Sequence, residues 1–453
     1  MSHDLYGQTT SLSDPAAIAA WNATMQGFLA HSACTPEHLG AVLRTDPDFA
    51  LAQAVQGLFL MLMGRRELVA DAVSALARAQ RIERQGAVLP RERLYIDALA
   101  DWIGGHPGAA VQRLEQVLRA DPGDALAMKL GHAIRFVLGD ATGMRRSVER
   151  VLPAYDRSHP GYGYLLGCHA FSLEETGDYA RAETTGRHAL WLAPDDAWGL
   201  HAVAHVHDMT GCARRGLDWL EGREGAWAHC NNFRFHVCWH KALMYLDLGR
   251  IDAVLALYDR EIRAERTDDY RDIANATALL MRLDLEGVDV ADRWQELADL
   301  AETRTQDGCL IFADLHYLLA LNGDSRDAAA HRLIRRIGRD AARSDTRTGR
   351  NMAHPGRAAA AGLRDFAEGR FASAFAHLSA ARGDMQRVGG SHAQRDLFER
   401  MTIDAGIRAG QFDAAEAILN DRSRRRSRDD GYAHARRDMI AAGRGAALDI
   451  PAQ

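Results

Sequence analysis

The sequence predicts an all-α fold, an α-solenoid of about nine to ten helical hairpins wound into a right-handed superhelix. Three observations point there. Apolar residues recur at helical spacing along nearly the whole chain. No run of alternating β-branched residues marks a strand. Glycines also recur at a nearly constant interval, placed to end one amphipathic helix and open another: Gly105, Gly139, Gly177, Gly211, Gly249, Gly287, Gly323, Gly369 and Gly410.

The first seven of these are 34, 38, 34, 38, 38 and 36 residues apart, close to the roughly 34-residue tetratricopeptide period. Steps of 46 and 41 to the last two imply longer connections near residues 340–357 and 384–391. The clearest single unit runs from Gly163 to Ala197, with Leu166, Ala170 and Leu173, then Gly177, Tyr179, Ala182 and Ala189. Ala170 and Ala182 let two helices approach closely, Gly177 makes the turn between them, and Pro194 ends the second. The unit around Gly105 repeats this with Ala98, Ala110, Leu114 and Pro122; that around Gly369 supplies Phe371, Ala374, Leu378 and Ala381. One hairpin cannot bury its apolar face alone, so neighbours must stack to complete the core. The division expected is an N-terminal helical cap over 1–40, the tetratricopeptide-like repeats over 41–420, and a C-terminal capping helix with a tail over 421–453.

Composition excludes several function classes. With 47% hydrophobic and 26% charged residues the chain is an ordinary globular one, and a net charge of −6 gives no basic field for nucleic acid or an anionic membrane. Lys129 and Lys241 are the only lysines, which leaves few groups for a Schiff base or a phosphate clamp. The start lacks a basic stretch followed by an apolar run, so no secretory signal is expected. The most apolar stretch, Leu51 to Met63, is too short to span a bilayer. Six cysteines show no C-x-x-C pair, which suits reduced thiols in a cytoplasmic setting. Walker, G-x-S-x-G and H-E-x-x-H motifs are missing, and Gly161, Gly163 and Gly167 have the wrong spacing for a dinucleotide fingerprint.

Four stretches carry a more specific likeness: GYGYLLGCHAFSLEETGDYARAE (161–183), DAWGLHAVAHVHDMTG (196–211), FRFHVCWHKALMYLDLG (233–249) and GGSHAQRDLFER (389–400). With DPDFALAQAVQGLFLML (46–62), they resemble the tetratricopeptide repeat protein 38 family over nearly the whole chain. The resemblance implies a cytoplasmic, all-helical superhelix. It implies no reaction.

Histidines are concentrated in the same region. His201 and His205 stand four apart on one expected helix, His236 and His240 four apart on the first helix of the next hairpin. Residues four apart share a helix face, so each pair can chelate one ion. By the tetratricopeptide rule for first-helix positions, His201, His205 and His236 face the concave groove, with Tyr164, Phe171, Glu174, Glu175 and Asp208; His240 sits at its edge. Two readings stay open. Imidazoles from both helices, with Glu174 or Asp208, can complete a shell for a divalent metal (zinc, iron or manganese). Alternatively they are solvated or contact a ligand, and clustered imidazoles beside carboxylates can also act as general acid and base without metal. His207 is expected to pack within its own hairpin, and Cys238 to be structural.

Ser391 and Gln394 form a capping box that places His392 and Arg395 in the first turn of a late helix, as a loop cap or as a carboxylate or phosphate site. Trp198 and Trp239 hold groove positions and are the tryptophans expected to wall a ligand site. The arginine-rich run from Arg422 to Arg428 reads as a solvated helix face or loop.

Two function classes follow. The first is a binding protein whose His- and carboxylate-lined groove holds a peptide, a partner or a small molecule. The second is a small-molecule enzyme using His201, His205, His236 and His240 as metal ligands or acid–base groups, with Glu174 beside them. Nucleic acid and membrane are not expected partners.

Overall fold

The computed structural model describes residues 2–448 apart from Ala87 and Ser344. Residues 449–453 of the expected tail lie outside the described residues. The chain is all-α save for a two-residue antiparallel pair, Ser2–His3 with Thr9–Thr10, which the pattern of apolar residues is too short to reveal. Among the described residues eleven helical hairpins follow one another, from Pro15–Leu29 with Thr35–Thr45 to His392–Arg408 with Phe412–Arg425, and a last helix covers Gly431–Leu448. The first forty-five residues supply a hairpin of their own, which accounts for one beyond the number expected.

The chain divides into two compact units. One comprises Met1–Val206 with Glu221–Val237; the other comprises His207–Leu220 with Cys238–Gln453. The N-terminal unit buries a continuous core that runs from Trp21, Phe49, Val55 and Leu58 through Leu99 and Leu114 to Leu130, Leu165 and Phe171. Its hairpin turns follow the glycine pattern: Gly105, Gly139 and Gly177 all take left-handed backbone (φ 83°, 68° and 83°) that a side chain adopts only under strain. Gly163 and Gly167, the false fingerprint, lie inside the helix Tyr162–Glu175 and make room for its neighbours. A Cβ on Gly163 would meet Ala193 at 2.6 Å.

The C-terminal unit has a core through Trp239, Leu279, Leu297, Tyr317, Leu333, Leu363 and Leu397, and a smaller cluster of Ile403, Leu419 and Ile440 under the last helix. Here one turn departs from the expectation. Gly323 is the last residue of the helix Ile311–Gly323, and Ser325, at φ 55°, makes the left-handed turn instead. Gly323 is required for another reason: a Cβ there would lie 2.4 Å from the Trp294 ring. The arginine-rich run also differs. Arg424, Arg425 and Arg428 are exposed, as expected of a solvated face, but Arg422 and Arg426 are buried and paired with Asp396, Asp430 and Asp208. Two of these partners, Asp208 and Asp396, come from other parts of the chain and help offset the charge, which local sequence cannot show.

Candidate functional site

A close crossing of two helices builds the site in the N-terminal unit. The helix Ala197–Met209 opens at Asp196, whose Oδ2 accepts the Gly199 N–H at 3.1 Å. A Cβ at Gly167 would meet that carboxylate at 2.0 Å, and one at Gly199 would meet it at 2.4 Å and the Gly167 Cα at 3.1 Å. Glycine on both sides therefore lets Tyr162–Glu175 and Ala197–Met209 touch backbone to backbone. One turn along, Phe171 stacks on His201 (ring centroids 5.6 Å apart, planes 18°), and Glu174 comes beside His205.

Three imidazoles converge there. The Nε2 atoms of His205 and His201 lie 2.8 Å apart, and those of His201 and His236 lie 2.9 Å apart. An imidazole nitrogen carries one proton or one lone pair, so the single Nε2 of His201 cannot make a full hydrogen bond to both neighbouring Nε2 atoms at once. A cation accepts three lone pairs at once. Ligand nitrogens about 2.0–2.1 Å from such an ion stand roughly 2.9–3.4 Å from each other, so only a small adjustment separates this cluster from a coordination shell. The other nitrogen of His205, Nδ1, faces Glu174 Oε2 at 3.5 Å. That carboxylate is fully buried, and its oxygens make no hydrogen bond. Glu174, Glu175 and His205 also stand close enough to form a second possible ligand group. His201 and His205 are both buried, so neither is a solvated groove residue. His240 follows His236 by one turn of the helix Phe233–Asp247, on the same face, and is buried.

Rings close the site on its other sides. Trp198 and Phe233 stand 5.1 Å from His201, and His31 stacks against both of them. His31 carries no sequence signal. It is brought in because the 30–33 loop pairs with the 229–231 segment: Asn231 N–H donates to the His31 carbonyl at 2.9 Å, and Ala33 N–H to that of His229 at 3.1 Å.

Behind Trp198 is a second polar group that sequence reasoning passed over. Its indole N–H donates to His132 Nε2 at 3.2 Å, which requires that imidazole to be neutral; burial and the nearby Lys129 hold its pKa well below the usual value. Lys129 is buried, 5.3 Å from the Trp198 ring and 3.9 Å from Cys168 Sγ. Burial pushes Asp196 up to about 7 despite Lys129, and Cys168 up to about 11. The scarcity of lysine was the available clue.

Other expected residues lie elsewhere. Tyr164 donates to Asp195 at 2.8 Å and so has a structural partner. In the C-terminal unit Asp208 pairs with Arg426 at 2.9 Å. Trp239 is fully buried, with Arg282 over its ring at 5.5 Å, and so is a core residue there rather than an open wall. Ser391 and Gln394 do form the capping box, and Gln394 also donates to Asn275 at 3.1 Å. Arg395 reaches back to the Gly390 carbonyl, while Asp396 pairs with Arg400 and Arg422. His392 and Arg395 line a cavity of about 190 Å³ with Arg382, Gln386 and Phe398. His316 is packed between Phe312 and Phe398, its burial lowering the pKa to about 4. His207 is buried against Gly216 in its own hairpin. Among the described residues, no helix is long and apolar enough to cross a membrane.

No family model matches the chain. Two solved structures align over most of its length. The human IFIT1 dimer with m7Gppp-AAAA shares 13% identity at a TM-score of 0.35, covering 88% of this chain and 90% of that one. The structure of Naa15/Naa10 bound to HypK-THB shares 11% identity at a TM-score of 0.24, covering 89% of this chain and 68% of that one. By its own succession of helix pairs and glycine turns, the chain is an all-α protein of tetratricopeptide-like hairpins.

Proposed function

We propose that this chain is a metal-binding protein of the tetratricopeptide-like class in which His201, His205 and His236 hold one divalent cation, zinc, iron or manganese. One observation carries the reading: three imidazole nitrogens meet within 2.9 Å of a common member, while the outward nitrogen of His205 faces the Glu174 carboxylate. That is the arrangement by which a carboxylate fixes the tautomer of a metal-bound histidine and raises its basicity. Three protein ligands leave a position for a water or a small-molecule ligand, and a bound cation supplies a Lewis acid there. Phe171, Trp198 and Phe233 supply apolar walls and limit water. His240 follows His236 one turn later on the helix Phe233–Asp247. The quoted motifs support membership of the tetratricopeptide repeat protein 38 family and a cytoplasmic location. Small-molecule enzyme chemistry is the use of this site that the buried carboxylate favours; a peptide or protein ligand is the second reading, which the hairpin architecture favours.

Calorimetric titration of chelator-treated protein with Zn²⁺, Mn²⁺ and Fe²⁺ tests the proposal. One-to-one binding by at least one ion is expected, weakened at least about 100-fold in His201→Ala or His236→Ala. Failure of all three ions to bind folded protein contradicts it.

A further inference from the structure

Among the described residues of the C-terminal unit, seven arginines are buried: Arg263, Arg282, Arg304, Arg336, Arg422, Arg426 and Arg436. Six of them face a carboxylate. Arg282 does not. Its Nη1 donates to the Ala278 carbonyl at 3.0 Å, its Nη2 to that of Ala393 at 2.6 Å, and its Nε has no partner. Only neutral groups therefore solvate this guanidinium, and burial pushes its pKa down to about 9. A guanidinium has five N–H groups, so donors remain after the two backbone bonds. A buried cation without a counter-ion is costly, and an anion that reaches it gains what the protein has left unsatisfied.

Arg282 lines a cavity of about 190 Å³. Leu243, Leu246 and Ile251 form an apolar part of the lining. Three carboxylates in the wall are engaged by arginines, Asp208 by Arg426, Glu286 by Arg436, and Asp396 by Arg400 and Arg422; the fourth, Asp247, accepts the Gly431 N–H at 2.8 Å, and burial raises its pKa and so favours its neutral form. They add no free cation to the site, and their fields oppose a multiply charged guest. A phosphate dianion is therefore disfavoured. A carboxylate carries one charge, matches the planar fork of an arginine, and can bring a short aliphatic chain.

We infer that this cavity binds a small aliphatic monocarboxylate, with its carboxylate on Arg282 and its chain against Leu243, Leu246 and Ile251. The site is independent of the histidine cluster and needs no metal.

Calorimetry of the full chain with acetate, butyrate and inorganic phosphate, in the presence of a chelator, tests this. Butyrate is expected to bind one-to-one and more tightly than acetate, with no competition from phosphate. Arg282→Met is expected to weaken butyrate at least about tenfold, the loss of a charge-assisted contact. Ile251→Trp, which fills the apolar end and leaves Arg282 in place, is expected to weaken butyrate several-fold, and it decides the matter if the Arg282 variant fails to fold. No butyrate binding by folded protein, phosphate binding tighter than butyrate, or butyrate affinity unchanged in every folded variant overturns the inference.

Discussion

The Nε2 atoms of His201 and His236 lie 2.9 Å apart, although 35 residues separate them in the chain. The contact exists because successive hairpins bring their first helices side by side, and because Gly167 and Gly199 let the helix carrying Glu174 approach the helix carrying His205. Two of the three histidines are buried completely, and the third partly, which makes the cluster unlike a solvent-facing groove.

In the proposed metal site Glu174 acts through His205, so its replacement separates orientation from ligation. Glu174→Gln keeps the size of the side chain and removes the charge. Metal affinity is expected to fall about 10- to 100-fold with helical content unchanged, as read by titration and circular dichroism. Unchanged affinity would assign Glu174 to packing alone.

Asp196 gives a pH dependence of known sign. Its carboxyl is raised by burial to about 7 in the folded chain, against an ordinary value of 3.8. Between those values the folded chain holds a proton that the unfolded chain has released, so stability falls as pH rises through that window, by about 4 kcal/mol in all. Asn at this position still accepts the Gly199 N–H and does not ionise. The stability difference between wild type and Asp196→Asn, from urea unfolding at pH 4 and pH 8, is expected to move by several kcal/mol in favour of the variant at pH 8. A difference independent of pH contradicts the assignment.

Asp430 is shared by Arg422, Arg426 and Arg400, and their charges hold its carboxyl well below the usual range. Asp430→Asn leaves Arg422 and Arg426 buried with less counter-charge. A loss of about 3–5 kcal/mol is expected, measured by denaturant unfolding, with a loss under about 0.5 kcal/mol contradicting the network.

Two glycines test two causes of the same residue choice. Gly323→Ala should cost about 1–3 kcal/mol by overpacking against Trp294, and Trp294→Leu should offset part of it in a double-mutant cycle. Gly177→Ala should cost about 1–2 kcal/mol through its positive φ, and no neighbouring substitution should restore it, because no neighbour lies within 4 Å of the new Cβ.

The sequence made the turns legible because a left-handed residue at each hairpin strongly favours glycine, and eight of the nine glycines named have that backbone. Gly323 was misread because a glycine kept for close approach looks the same in a sequence as one kept for a turn. His201, His205 and His236 could be singled out from their helical spacing together with the tetratricopeptide rule for first-helix positions. Arg422 and Arg426 could not be read as buried, because Asp430 alone lies nearby in the sequence and their other partners, Asp208 and Asp396, are brought up by tertiary packing. His31 was invisible for the same reason, and the rarity of lysine marked Lys129 without showing its place: each enters through a loop or a neighbouring helix whose contact is set by shape rather than by local pattern.

The most direct test of the central claim is the metal content of tag-free purified protein, compared with a His201→Ala/His236→Ala variant of matched helical content. Near-stoichiometric zinc, iron or manganese in the wild type and its loss from the variant is the predicted result. A wild-type protein that stays metal-free after purification and after reconstitution with each ion would contradict the claim.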